Sequence, residues 1–165
     1  MVYMSLIYSY INYCNIIWGS ADECHLKPLI VLQKKALRII NNSNFRDASA
    51  PIFYSLKLLP ISDIFHLNCL KFLYKCLIDN KFPLVKQRIL QNNSSHDHET
   101  RYRYLLKPLF ERLELCKKAF LSQSIKLWNN LSISIKQAKS LHSFKLKVKY
   151  ILLERNRPTQ VLPNF

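Results

Sequence analysis

The part of the sequence best suited to contact with a ligand is the run of four residues at 101–104. Arg101, Tyr102, Arg103 and Tyr104 alternate guanidinium groups with aromatic rings. Guanidinium groups bind phosphates and aromatic rings stack on unpaired bases, so the run predicts contact with nucleic acid. The same alternation is typical of a short strand whose tyrosines face the core. The run by itself supports both interpretations equally.

The positive charge of the chain is concentrated in the same region. The sequence has 25 Lys and Arg against 10 Asp and Glu, a net charge of +15. Residues 101–165 hold 14 of those bases and 3 of the acids, which leaves +11 on this part. A surface of this charge density attracts polyanions, and nucleic acid is the usual polyanion in a cell. The alternative is a charged surface that only keeps the protein soluble.

From the charge and the run we predict non-specific binding of RNA or DNA through residues 101–157. Tyr102 and Tyr104 are the expected stacking residues. The phosphate contacts are expected from five basic residues, which are Arg101, Arg103, Lys107, Lys117 and Lys118. Affinity of this kind comes from phosphate neutralisation, so it should depend little on base sequence and fall steeply with salt.

The sequence does not indicate catalysis. Metal-dependent nucleotidyl transfer needs clustered carboxylates that hold two cations about 4 Å apart, and the chain contains no Asp-Asp pair. The one adjacent pair of acids, Asp22 and Glu23, is explained by a helix cap in which Ser20 and Glu23 bond each other's backbone. We therefore predict no catalytic residue, no cofactor and no small-molecule substrate.

A metal site is not predicted either. His96 and His98, with Asp97 and Glu99 beside them, are adjacent polar residues in a loop, which are usually solvated rather than arranged as well-spaced ligands. The five cysteines are an odd number without a CxxC pair, which indicates free thiols in a reducing, intracellular compartment.

The composition predicts an all-α fold, because strands and phosphate-binding loops depend on glycine and the chain has only Gly19. Apolar periodicity predicts five helices, at 3–17, from 20 to about 40, at 62–77, at 113–130 and at 141–154 with Ser140 as N-cap. The expected core face of the second consists of Leu26, Leu29, Ile30, Ala36, Leu37 and Ile40. Pro51 is expected to open an additional short helix.

The same pattern predicts three parts: a helical bundle at 1–90, a polar linker or loop at 91–104 and a basic, mostly helical extension at 105–165. Residues 1–18 are apolar but have no basic residue before Lys27, and four polar residues interrupt them. We interpret them as a core helix rather than a signal peptide or a membrane span.

Several blocks of the sequence closely resemble the region after the palm in reverse transcriptases of non-LTR, LINE-type and jockey-like retrotransposons. The blocks follow the family's order and are 5–19 (SLIYSYINYCNIIWG), 26–40 (LKPLIVLQKKALRII), 98–101 (HETR), 127–131 (LWNNL) and 140–145 (SLHSFK). The first block is the most specific. The chain departs from the family at Ser132, where a proline is usual, and at residues 124–126, where a glycine is common.

The resemblance implies a thumb-like helical bundle that packs behind the polymerase palm, followed by a basic extension associated with template handling. Fingers, palm, the Tyr-x-Asp-Asp motif and an endonuclease would lie before residue 1, so no catalytic residue is carried over to this chain. The expected function is that of a non-catalytic C-terminal fragment of an RNA-directed DNA polymerase, whose partners are nucleic acid and the palm of the parent protein. The alternatives are an independent basic RNA- or DNA-binding helical module and a structural helical protein.

Overall fold

A computed structural model describes residues 2–91, 105–109 and 112–157, and this part of the chain is all-α, as predicted. A π-helix at Tyr3–Tyr8 continues directly into α1. The α-helices in chain order are α1 (Ser9–Asn12), α2 (Asn15–Trp18), α3 (Glu23–Ile40), α4 (Ser49–Ser55), α5 (Ile61–Leu77), α6 (Pro83–Gln91), α7 (Glu114–Lys118), α8 (Phe120–Asn129), α9 (Ile133–Lys136) and α10 (Leu141–Arg155).

Helix α5 is the centre of the fold. Eleven of its 17 residues are buried, so it is covered on nearly every side rather than along one stripe. It packs against α2, α3, α6, α8 and α10. Pro60 precedes its first turn, where the missing N–H of a proline costs nothing. The helix begins one residue before the predicted start at 62 and ends at Leu77, as predicted.

The main core is built around aromatic rings that face α5. The rings of Tyr74 and Phe144 lie 4.6 Å apart between centroids, and Trp128 lies 5.8 Å from Phe144. The Tyr74 hydroxyl donates a hydrogen bond of 2.8 Å to the carbonyl of Ala138. These contacts join α5, α8, the segment after α9, and α10 into one unit.

This core crosses the predicted boundary between bundle and extension. Leu70 and Tyr74 come from the predicted bundle, and Trp128, Phe144 and Val148 come from the predicted extension, yet all belong to one buried cluster. The described part of the extension is therefore packed on the bundle. Residues 92–104, which make up nearly all of the predicted linker, lie outside the described residues, so the three-part division stays a prediction.

A second, smaller core joins the N-terminal helices to α3 and α4. It contains Tyr3, Leu37, Ile52 and Phe53. Beside it the buried side chain of Gln33 donates to the Tyr3 hydroxyl (2.7 Å) and to the carbonyl of Leu59 (3.1 Å). Its Oε1 atom accepts from the backbone N–H of Ile61 (3.1 Å). A single amide thus connects the π-helix, α3 and the start of α5, and apolar periodicity does not reveal such a residue.

The prediction of one continuous helix over 3–17 is wrong. The chain breaks at Tyr13 and Cys14, and Cys14 has a φ of 46°, in the left-handed region that non-glycine residues rarely adopt. The indole N–H of Trp18 donates to the carbonyl of Tyr13 (2.8 Å), one of the groups that the break leaves without a helical partner. The predicted helix over 113–130 is also divided, by Ala119, whose extended backbone separates α7 from α8.

Predictions about caps had mixed outcomes. Ser140 caps α10 as expected, because its hydroxyl accepts from the N–H of Ser143 (3.2 Å). The box of Ser20 and Glu23 does not form: Asp22 is the N-cap of α3, and the Ser20 hydroxyl donates to the carbonyl of Ile17 instead. A sequence pattern cannot distinguish these two uses of a serine beside a turn.

The predicted core face of α3 is confirmed only in part, with Leu26, Ile30 and Ala36 partly buried. Leu37 is fully buried, but Leu29 and Ile40 are each 41% exposed. The polar Gln33 occupies the central buried position instead. Helix α3 therefore contacts the protein through a narrow strip, and much of its apolar surface has no neighbour in the described part of the chain.

Gly19 follows α2, and its role is steric. Its φ of −68° is accessible to any residue. A Cβ atom at this position would lie 2.5 Å from the carbonyl oxygen of Asn15 and 2.5 Å from Cδ2 of Phe65. The absent side chain is what allows the end of α2 to lie directly against α5.

Replacement of Tyr74 by phenylalanine tests the central contact. Tyr74→Phe keeps the ring packing but removes the hydrogen bond to the Ala138 carbonyl, so we expect the free energy of unfolding to fall by about 1–2 kcal/mol. Chemical denaturation measures the change. Tyr10→Phe is the control, because Tyr10 is 80% exposed and should alter stability little. Equal stability of the two variants would show that the buried bond does not stabilise the fold.

Candidate nucleic-acid interface

The structure covers only part of the predicted site. Arg101, Tyr102, Arg103 and Tyr104 lie outside the described residues, so their predicted contacts with phosphates and bases stay a prediction. Lys107 lies in the short described segment 105–109 and is exposed.

Lys117 and Lys118 are both engaged in ion pairs. The ammonium of Lys117 lies 2.5 Å from Oε1 of Glu114, one turn earlier in α7. Lys118 pairs with Asp22 at the start of α3, and the hydrogen bond to that carboxylate raises the pKa of Lys118. Both side chains remain about half exposed. A phosphate would have to compete with a carboxylate at each position, which weakens these two residues as contacts.

A denser group of lysines lies where α10 crosses α5. The two helices run antiparallel, because Tyr74 contacts Phe144 near one end and Asp63 pairs with Arg155 at the other. We call the group the lysine ridge. It contains two residues of α5, two of α10 and one from the turn before α5, which are Lys71, Lys75, Lys145, Lys149 and Lys57.

The charges of the lysine ridge act on one another. Burial lowers the pKa of Lys71, and the charges of Lys145 and Lys75 lower it further. Burial likewise lowers the pKa of Lys149, with added repulsion from Lys145 and Lys57. Within the described residues none of the five forms an ion pair with a carboxylate. The ridge is therefore a group of positive charges without a carboxylate partner among the described residues, which an anion would stabilise.

The spacing of the lysines in the sequence already indicated this ridge, although the count of charges in each region did not reveal it. Lys71 and Lys75 are spaced i,i+4, as are Lys145 and Lys149, and this spacing places each pair on one face of its helix. The convergence of the two pairs, however, depends on the packing of α10 against α5. The predicted site and the ridge thus offer the same chemistry, which is basic side chains that can bind phosphate. They consist of different residues.

Asp63 holds the far end of α10 in position. Its carboxylate is 1% exposed and lies in the first turn of α5. It accepts hydrogen bonds from Arg155 and from the side-chain amide of Asn156, at the end of α10. A buried carboxylate without partners would be strongly destabilising, so these contacts fix the end of α10.

The described residues offer no group of three or more His, Cys, Asp or Glu side chains that could hold a metal ion. All five cysteines are free, as predicted. Burial raises the pKa of both Cys69 and Cys76 to about 11, so both are neutral thiols at physiological pH. They are part of the interior of α5 and are poorly suited to nucleophilic chemistry.

Among the described residues, no helix combines the length and the apolar character that a membrane-spanning segment requires.

Comparisons with protein-family models, with curated proteins and with solved structures found no match to this chain.

Removal of Lys145 tests whether the ridge is electrostatically coupled. Lys145→Gln should raise the pKa of both Lys71 and Lys149, because it removes a positive charge that acts on each. Because the pKa of each lysine is lower in the folded chain than in the unfolded chain, the charged lysines destabilise the fold at pH values below the folded pKa. This destabilisation disappears as the pH rises through the folded pKa and the lysines lose their charge. The variant should therefore be more stable at neutral pH, by about 0.2–0.5 kcal/mol per removed contact, and should lose that gain in the lysine titration range.

Side-chain NMR titration of the lysines measures the pKa values directly. The matched control is Lys147→Gln, which removes the same charge from the same helix but at a residue that donates to the carbonyl of Ser134. Equal shifts of Lys71 and Lys149 in the two variants would mean that the ridge is not locally coupled.

Proposed function

We propose that this chain is a non-catalytic C-terminal region of a non-LTR retrotransposon reverse transcriptase that binds nucleic acid without sequence specificity. The sequence blocks at 5–19, 26–40 and 127–131 support the family. The absence of an Asp-Asp pair from the sequence supports a role without catalysis in the chain itself. The lysine ridge is the observation that carries the nucleic-acid part of the proposal.

The ridge suits a phosphate backbone better than it suits a protein partner. Its lysines lie on two crossing helices and the adjoining turn, and they have no carboxylate partner within the described residues. An extended polyanion releases condensed counterions when it meets such a group of ammonium groups, which favours binding whatever the base sequence. Arg101 and Arg103 are proposed to extend the interface, with Tyr102 and Tyr104 available for stacking.

Exposed apolar residues near the N-terminus support the second proposed partner, the polymerase palm. Leu6, Tyr10 and Ile17 are 62%, 80% and 74% exposed, and Leu32 of α3 is 59% exposed. An open apolar groove of about 640 Å³ lies between the N-terminal helices and α3. Apolar surface of this extent usually contacts another protein surface. In the proposed parent enzyme that surface is the palm.

The alternative of an independent basic module also has an observation in its favour. Trp128 and Phe144 pack with Tyr74 in one core, so α5, α8 and α10 form a unit that can fold together. Both hypotheses predict nucleic-acid binding by the lysine ridge. They differ in whether the N-terminal apolar face binds a polymerase palm.

Binding to single-stranded RNA tests the ridge. Replacement of Lys145 and Lys149 by glutamine should weaken binding and flatten the plot of log affinity against log salt by about 1.4, since each phosphate contact on a single strand contributes a slope of about 0.7. Base preference should not change. Fluorescence anisotropy over a salt series gives both quantities.

The matched control is Lys34→Gln with Lys35→Gln, which removes the same charge from α3. A parallel pair, Arg101→Gln with Arg103→Gln, tests the contacts expected from the sequence. The proposed interface is incorrect if the ridge variant keeps the original slope, or if the α3 variant loses as much affinity as the ridge variant.

A primer-extension assay tests the non-catalytic part. The purified chain should not extend a primer on an RNA or DNA template with magnesium or manganese, because it lacks the carboxylates that hold two catalytic ions. A mock purification is the control for contaminating polymerase. Extension above that background, co-purifying with the chain, would refute this prediction.

A further inference from the structure

A small pocket lined by both polar and apolar residues opens beside one end of the lysine ridge. It has a volume of about 230 Å³ and lies between α1, α2 and α5. Three asparagines and two lysines line it, namely Asn12, Asn15, Asn68, Lys71 and Lys75. The groove between the N-terminal helices and α3, and the one beside α10, are lined mainly by apolar residues and hold no comparable group of amides and ammonium groups.

The hydrogen bonds within the pocket determine the orientation of each amide. Lys71 has only donors, and its ammonium donates to Oδ1 of Asn68 (3.0 Å). The amide nitrogen of Asn68 must then point the other way, where it donates to Oδ1 of Asn12 (3.0 Å) and Oδ1 of Asn15 (3.4 Å). All three side-chain oxygens therefore accept a bond inside the network. The groups that the pocket can offer to a ligand are therefore hydrogen-bond donors.

One of these donors has no partner among the described residues. Asn15 is 1% exposed, and its Nδ2 atom is buried without a hydrogen bond to any group in the described part of the chain. A buried donor without an acceptor is costly, and proteins rarely keep one unless water or a ligand satisfies it. Lys71 and Lys75 line the same pocket and add positive charge beside this amide, so an acceptor that carries negative charge would complement both.

The charge and size of the pocket indicate which anion fits. Two ammonium groups match the charge of a phosphate monoester, about −1.5 to −2 at pH 7, better than the single charge of a carboxylate. The volume is below the roughly 300–1,000 Å³ of sites for drug-sized ligands. The pocket therefore fits a phosphate and the group attached to it, but not a longer chain of nucleotides.

The apolar side of the pocket indicates which chemical group is attached to the phosphate. Phe72 and Phe82 both line the pocket and stack on each other, with ring centroids 5.1 Å apart. Phe82 is 42% exposed, so part of its ring is accessible. Aromatic rings beside phosphate-binding donors are typical of sites that stack a nucleobase.

We propose that this pocket binds the phosphate monoester of a nucleotide, with the phosphate on Lys71, Lys75 and the Asn15 amide and the base against Phe82. The nucleotide is either free or the 5′-phosphorylated end of a strand. The site goes beyond the proposed sequence-independent binding by the ridge, because it recognises a terminal group rather than a backbone.

Titration of the whole chain with adenosine 5′-monophosphate tests the pocket, with adenosine as the probe that lacks phosphate. We expect saturable binding of the monophosphate, a shift of the Asn15 side-chain amide signal in NMR spectra, and no comparable effect of adenosine. Lys75→Gln should weaken binding about tenfold, the loss of roughly one charge-assisted hydrogen bond. Lys71→Gln should act in the same direction. Lys35→Gln is the control for charge alone.

A strand with a 5′-phosphate and the same strand with a 5′-hydroxyl distinguish the two sources. Tighter binding of the phosphorylated strand, with displacement by the monophosphate, identifies the strand end as the ligand. Equal binding of both strands identifies the free nucleotide. If Lys75→Gln unfolds the chain, the amide shift of Asn15 in the native protein remains a direct test of occupancy.

The pocket proposal is overturned if the monophosphate does not bind saturably, if adenosine binds as well as the monophosphate, or if Lys75→Gln and Lys35→Gln behave alike. Its failure is distinct from failure of the proposed function. Loss of RNA binding in Lys145→Gln with Lys149→Gln concerns the ridge alone, and that variant should still bind the monophosphate.

Discussion

The burial of α5 is the constraint on which the rest of this structure depends. A helix that is covered on nearly all sides requires neighbours on all sides, and here they come from residues far apart in the chain. The packed rings of Tyr74, Phe144 and Trp128 supply much of this cover, while the Tyr74 hydroxyl satisfies a carbonyl beside it. Apolar burial provides the driving force, and the polar contacts select one arrangement among the possible ones.

The polar contacts at the two ends of α5 have different consequences. At its start, Asp63 is buried and satisfied by Arg155 and Asn156, which fixes the end of α10. Nearer its C-terminal end, Lys71 lies near Lys75 and near Lys145 of α10, and none of these lysines pairs with a carboxylate in the described residues. The first arrangement stabilises the fold. In the second, burial and then the neighbouring charges lower the pKa of Lys71, so the charged lysine opposes folding.

Sequence reasoning succeeded where a single local pattern decided the structure. The all-α class, the end of α5 at Leu77 and the cap at Ser140 follow from glycine content, apolar spacing and side-chain chemistry over a few residues. It failed where two local patterns competed. The break at Cys14 lies inside an apolar stripe, and Ser20 bonds backward to Ile17 rather than forward to α3. Tertiary contacts decide such cases, because they outweigh the small preferences of individual residues.

The sequence by itself determined the helical class, the excess of positive charge and the absence of an Asp-Asp pair, since these depend only on which residues are present and on their spacing along one helix. The tertiary structure decided which lysines share a surface and which are paired with carboxylates. Lys118 meets Asp22, 96 residues away, and Lys71 meets Lys145 only because α10 packs antiparallel on α5. The pocket at Asn15 has the same origin: its asparagines belong to separate helices, and contacts between distant residues are not encoded in any local period of the sequence.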